Sequence, residues 1–144
     1  MRSLKRYYAA ALLLAAFGCS SSTEPRIESN ASLVPGVTEL TLQYGEDRRL
    51  DNSVLRLSFG RVVEDSRCPA GVYCIWSGNA VVEIGIAAGM GPTVPLQINT
   101  VLEPRYADWS GVRVTVLQLD PLPKAGVPVK PEEYSVKLRL ENIR

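Results

Sequence analysis

The chain has 144 residues, 46% of them hydrophobic and 22% charged, with 16 basic and 15 acidic side chains, three cysteines and no histidine. The missing histidine removes Ser-His-Asp and Cys-His catalysis and the usual proton shuttle near neutral pH. Charge is nearly balanced and no basic stripe is interleaved with aromatics, which argues against a nucleic-acid partner.

The first 18 residues read as an export signal. Arg2, Lys5 and Arg6 form a positive head, and Ala9 to Phe17 form an apolar core. That core is too short for a bilayer span, which takes about 20 residues, and suits a signal peptide. Ala16-Phe17-Gly18-Cys19 follows. It resembles the bacterial lipobox, departing from that pattern at Ala16 and Phe17, and the resemblance implies lipidation of Cys19 and membrane attachment through the lipid. Ordinary signal-peptidase cleavage and a mis-assigned start are the alternatives. Ser20, a residue other than aspartate after the cysteine, resembles the outer-membrane sorting class if the source is a diderm bacterium.

Residues 19–36 carry serines and two prolines with no apolar periodicity, and read as a flexible tether. The mean reach of such a coil is about 20–25 Å. Without residues 1–18 the chain holds 13 basic and 15 acidic side chains. Residues 37–144 remain, enough for one core and not two.

This domain reads as strands. Val37 to Tyr44 puts Thr38, Leu40, Leu42 and Tyr44 on one face, and Gly45-Glu46-Asp47 turns the chain. Arg48 to Glu64 groups Leu55, Leu57 and Phe59, with Gly60 breaking the alternation in a bulge. A long strand from Cys74 to Ile86 places Cys74, Trp76, Gly78, Ala80, Val82, Ile84 and Ile86 on one inward face. Trp76 is therefore expected in the core. Pro95 to Val101, Gly111 to Leu119 and Glu133 to Glu141 supply the remaining alternation, with Tyr134, Val136, Leu138 and Leu140 the cleanest set. Six or seven strands with no amphipathic helix indicate an all-β, single antiparallel β-sandwich, immunoglobulin-like in architecture; a small closed barrel is the alternative.

Cysteine arithmetic leaves Cys68 and Cys74 as a disulfide pair once Cys19 is assigned to lipid. Pro69 and Gly71 can turn the chain between them. So small a ring stabilises by only about 2 kcal/mol, so the bridge shapes its loop rather than holding the fold. Two thiols and no histidine make a poor zinc site, and Asp51-Asn52-Ser53 lacks calcium-loop spacing. No catalytic residue, metal or cofactor is expected, and the chain is read as a non-enzyme.

Candidate binding residues lie in two loops. Arg67 can present a planar fork to an anion with Tyr73 beside it, though pairing with Asp65 is the favoured alternative. Leu102 to Ser110, read as a loop, carries Arg105, Tyr106 and Trp109, residue types enriched at binding hot spots. Trp109 either binds there or packs over a sandwich edge. Pro121 to Pro131, with four prolines, reads as a stiff exposed connection.

The run Asp65-Ser66-Arg67-Cys68-Pro69, with Val72, Cys74, Trp76 and Gly78 at their spacings, resembles a group of small exported bacterial proteins sharing D-S-R-C-P-x-x-V-x-C-x-W-x-G. The resemblance supports the domain boundary and the Cys68–Cys74 pair, and brings no catalytic or binding residue with it. The functional expectation is a non-catalytic envelope lipoprotein that binds a protein or glycan. A protease-inhibitor-like protein presenting the Cys68–Cys74 loop is the second expectation, since a pre-shaped loop lowers the entropy cost of binding.

Overall fold

Alternating apolar side chains set the strands, and pairing of those strands sets the layers. The computed structural model describes residues 33–143; the expected signal peptide, Cys19 and the part of the expected tether before Leu33 lie outside the described residues. The described residues form eight strands: β1 (Thr38–Gln43), β2 (Asp47–Arg49), β3 (Leu55–Asp65), β4 (Ala80–Ala88), β5 (Val94–Asn99), β6 (Tyr106–Trp109), β7 (Val112–Asp120) and β8 (Ser135–Asn142). A 3-10 turn, Pro131–Glu133, precedes β8.

Two four-stranded antiparallel sheets result, ordered β1-β8-β7-β6 and β2-β3-β4-β5. The described residues enter the first sheet at β1, cross to the second at β2, meander to β5, return at β6 and meander back to β8 beside β1. The sheets stay open, so the architecture is the expected sandwich and not the closed barrel. The second sheet is a plain meander, and so is β6-β7-β8 of the first, whose remaining strand, β1, lies beside β8 and is reached only by crossing from the other sheet.

The core follows the period of two. Leu55, Leu57 and Phe59 of β3 meet Val82, Ile84 and Ile86 of β4 from one layer, with Val112, Val114 and Val116 of β7 and Val136, Leu138 and Leu140 of β8 from the other; all are fully buried. Full burial of such a side chain is worth about 1.5–3 kcal/mol. The expected bulge at Gly60 is present as a register shift between Phe59 and Arg61, and a second falls between Val62 and Glu64. A third, between Val116 and Gln118, turns Leu119 inward after Val116.

Four local expectations are corrected. Arg48 to Glu64 is not one strand: residues 50–54 break it into β2 and β3. The long strand begins at Ala80, not Cys74. Part of Leu102 to Ser110 is strand, because Tyr106–Trp109 pairs with Thr115–Val112 of β7. Val34, placed in the tether by its sequence, is fully buried and held by the Asn142 amide, which accepts from Val34 N–H (3.2 Å) and donates to its carbonyl (2.7 Å).

Strand directions give the sandwich two poles. The N-terminal pole holds the incoming segment 33–37 and the connections 50–54, 89–93 and 110–111. The other, the disulfide pole, holds 44–46, 66–79, 100–105 and 121–134. At about 3.3 Å per residue, the 11 residues of β3 separate the poles by roughly 30 Å.

Candidate functional site

The connection 66–79 dominates the disulfide pole. It prolongs the β3–β4 register, in which Asp65 faces Ala80: Ser66 N–H donates to the Asn79 carbonyl (2.7 Å) and Cys68 N–H to that of Ser77 (2.9 Å). The Cys68–Cys74 disulfide then closes the tip, with Cα atoms 6.0 Å apart. Gly78 is required by geometry. Its φ is +71°, and a Cβ there would lie 1.9 Å from the Ser66 carbonyl oxygen, well inside any tolerable contact.

Beneath the tip sits a buried polar lock. The Arg67 and Asp65 side chains are only 8% and 9% exposed and pair through two nearly parallel bonds, Nε to Oδ1 (2.9 Å) and Nη2 to Oδ2 (2.7 Å). Arg67 also donates to the carbonyls of Leu119 and Pro121, the latter at 2.8 Å, at the end of β7. Tyr134, just before β8, donates its hydroxyl to Asp65 Oδ2 (3.0 Å). One ion pair thus ties the second sheet to the first. Burial alone would raise the Asp65 carboxyl, but the Arg67 bonds and charge and the Tyr134 hydroxyl outweigh it and hold the group below its usual range. The Tyr134 hydroxyl is pushed up to about 12 by its own burial and by the bond to Asp65.

Asn79 organises the neighbouring connection. Its side chain donates to Asn99 Oδ1 (2.9 Å) and accepts from the N–H groups of Val101 (3.1 Å) and Leu102 (3.3 Å). Thr100 Oγ1 accepts from Ala80 N–H (2.9 Å). On the other flank, Ala70 N–H donates to the Pro123 carbonyl (2.8 Å), seating the tip against the proline-rich connection.

What this bracing holds out is apolar. Tyr73 is 98% exposed, Ile75 101% and Trp76 62%, with Val72 beside them at 45%. From Cys68 to Val82 the chain has no charged residue. Trp76 is therefore not a core residue. The inward face assigned to it assumed an unbroken strand, and the left-handed backbone at Gly78 ends that alternation before the tryptophan.

The other candidates are dispersed. The fork of Arg67 is occupied by Asp65 and two carbonyls, the pairing that was the favoured reading. Tyr73 stands free at the tip. Arg105 is half-buried, and its Nε, screened from solvent, has no hydrogen-bond partner. Tyr106, on β6, lies under the Arg113 guanidinium, whose carbon is 3.8 Å from the ring centroid, and Arg113 is held by both oxygens of Asp108 (2.8 and 2.9 Å). Trp109 packs half-buried against the core at the N-terminal end of β6's partner β7, so it belongs to the far pole. Ile75, outward by its parity, and Val72 are not among the candidate binding residues of the sequence analysis; absence of charge over the run from Cys68 to Val82 is the signal that points to them.

At the N-terminal pole, Leu33, Arg49, Leu50 and residues 51–54 line a shallow depression beside the incoming chain. Its lining mixes Leu33, Leu50 and Val54 with Arg49, Asp51, Asn52 and Ser53. The chain matches no family model, no curated protein and no solved structure.

Proposed function

We propose that the chain is an exported, lipid-anchored, non-catalytic module of the cell envelope that binds a protein or glycan partner through its disulfide pole. The observation that carries this reading is the tip itself: Tyr73, Ile75 and Trp76 held in solvent by a braced loop. Contiguous apolar exposure of this kind marks an interaction surface. Export is supported by the signal-like residues 1–18, by the lipobox-like Cys19, by a disulfide that persists only in an oxidising compartment, and by the resemblance to the D-S-R-C-P group. With Ser20 after the cysteine, the outer membrane is the destination in a diderm source. The described domain then hangs from its N-terminal pole and carries its tip on the side away from the anchor.

Two measurements test the reading. Mass spectrometry of the protein from its native envelope should find residues 1–18 removed and diacylglycerol on Cys19; an intact Met1 sinks the anchor. Immobilised domain should retain an envelope component that a Tyr73→Ser, Ile75→Ser, Trp76→Ser variant releases; equal retention by both sinks the binding pole.

A protease-inhibitor-like role is the second reading, favoured by the near-complete exposure of Tyr73 inside the Cys68–Cys74 ring. It requires that reduction of the bridge abolish inhibition while the sandwich stays folded. Ile75 and Trp76 lie outside the ring and are equally prominent, which favours the broader binding surface.

A further inference from the structure

The chemistry around the tip narrows the partner. Glu64 at the end of β3, Glu103, Asp120 at the end of β7, Glu132 and Glu133 are all exposed at this pole. Cations there are the exposed Lys124, bridged through its backbone to Ala70 of the tip, the exposed Lys130 and the half-buried Arg105, while Arg67 is spent on Asp65. The pole is an uncharged apolar projection whose rim carries more exposed carboxylates than cations and is acidic on balance.

Each candidate surface meets that pattern differently. An anionic bilayer accepts tyrosine, tryptophan and isoleucine at its interface, but it recruits them with basic neighbours and repels an acidic rim. A glycan stacks on aromatic faces and needs polar groups beside them; here the aliphatic Ile75 stands in the chain between Tyr73 and Trp76, and the polar atoms of Asp65, Ser66, Arg67 and Asn79 are engaged within the fold. A protein pocket takes aromatic and aliphatic anchors together, and a rim of lysine and arginine complements the carboxylates.

We propose that Tyr73, Ile75 and Trp76 insert as a preformed wedge into an apolar pocket of a folded protein whose rim is basic. The inference rests on the binding-module reading above and deepens it. The wedge offers on the order of 400–500 Å² at typical side-chain areas, the small end of specific interfaces, so the complex is transient. Rigidity compensates, because the loop is already ordered by its disulfide, by Gly78 and by the Arg67 lock.

The test places the photo-crosslinker p-benzoylphenylalanine at position 75 of the full chain in its native host, with position 52, in the depression at the opposite pole, as control. The expected result is one dominant protein adduct from position 75 and none from position 52, cross-linked at a segment flanked by lysine or arginine. The purified adduct partner should bind the full chain with a Kd raised at least tenfold by Ile75→Asp. Glu132→Lys with Glu133→Lys should weaken it about threefold or more, and added salt should weaken the wild-type complex. Ile75 and both glutamates are exposed, and the one bond lost, from Lys130 N–H to the Glu133 carboxylate (3.0 Å), belongs to an exposed 3-10 turn outside the sheets, so circular dichroism of these variants should match the parent. An adduct with phospholipid, or binding to vesicles of three parts phosphatidylethanolamine to one of phosphatidylglycerol that Ile75→Asp abolishes, overturns the inference and leaves a binding module. So does an adduct with glycan, with a second copy of this chain, or with a protein that binds the Lys variant more tightly. Equal labelling from positions 75 and 52, or none from either, overturns both readings.

Discussion

The two poles of the sandwich solve the same problem by opposite means. At the N-terminal pole the connections are short, as at Ser110–Gly111 between β6 and β7, and the incoming segment is fixed by Val34 in the core and by the Asn142 amide. Few backbone groups there need outside partners. At the disulfide pole the connections 66–79 and 121–134 are long, and each brings unpaired N–H and C=O groups that must be satisfied. Asp65 accepts from Arg67 N–H and Arg67 donates to the Pro121 carbonyl, Asn79 does the same service for Val101 and Leu102 N–H in the connection 100–105, and Tyr134 holds the Asp65 carboxylate in place. Polar groups thus do at one pole what short turns do at the other, and the result is a loop stiff enough to keep apolar side chains in water.

The most severe way to break that contrast is to remove one member of the ion pair. Asp65→Ala leaves the Arg67 guanidinium buried without its counter-charge and should cost about 3–5 kcal/mol in urea unfolding. Asn142→Ala, which cuts the side-chain tie at the N-terminal pole, should cost about 1 kcal/mol. Equal losses would mean that the poles are held alike. The pair also makes stability acid-sensitive. The Asp65 carboxyl sits lower in the folded protein than in the unfolded chain, so its contribution is present above about pH 4 and is lost as the pH falls through the folded value.

Next in size is a pair of glycines. Gly78 and Gly111 both have left-handed backbone, φ +71° and +81°. A Cβ on Gly78 strikes the Ser66 carbonyl at 1.9 Å, whereas on Gly111 the nearest atom, the Ile143 carbonyl oxygen, is 3.7 Å away. Gly111→Ala should cost about 1 kcal/mol for the backbone alone. Gly78→Ala should cost about 2–4 kcal/mol, since overpacking is added to it, and thermal unfolding of the two variants separates the terms.

Most of the core was legible in the sequence, because alternation survives wherever the backbone stays extended. Leu55, Leu57 and Phe59, the Val112 to Val116 set, and Tyr134 to Leu140 are inward as their parity requires, and Gly60 marks a true bulge. The same rule misled from Cys74 to Asn79. There Gly78 leaves the extended region, and parity carried back through it put Trp76 on the wrong side. Strand β6 was missed for a different reason: four residues containing alanine and aspartate carry little strand signal, and β7 imposes the pairing. The lock was half legible. The Asp65–Arg67 pair spans two positions, but the bonds from Arg67 to Leu119 and Pro121 span 52 and 54, and Tyr134 to Asp65 spans 69, distances at which sequence patterns are silent.

A smaller effect isolates the tyrosine of the lock. Tyr134→Phe keeps the ring in the core and deletes only the bond to Asp65, at a cost of about 1.5 kcal/mol near neutrality. Its signature is in base. The folded hydroxyl is pushed up to about 12 from an ordinary value near 10, so its contribution is complete below pH 10 and disappears as the pH rises to about 12. Wild-type stability should fall toward that of Tyr134→Phe across this window, and parallel curves for the two proteins would remove Tyr134 from the lock.

The smallest effect on stability is the one that bears most on function. Trp109 packs half-buried on the core, so Trp109→Ala should cost about 1–3 kcal/mol and lower the melting temperature by roughly 5–15 °C. Trp76 is 62% exposed at the disulfide pole, and Trp76→Ala should stay within about 0.5 kcal/mol of the parent. If the ring instead braced the loop, its loss would approach that of Trp109. Tolerance of that loss is what the proposed contact outside the fold requires of Trp76, and the matched pair of alanine variants measures it without knowledge of the partner.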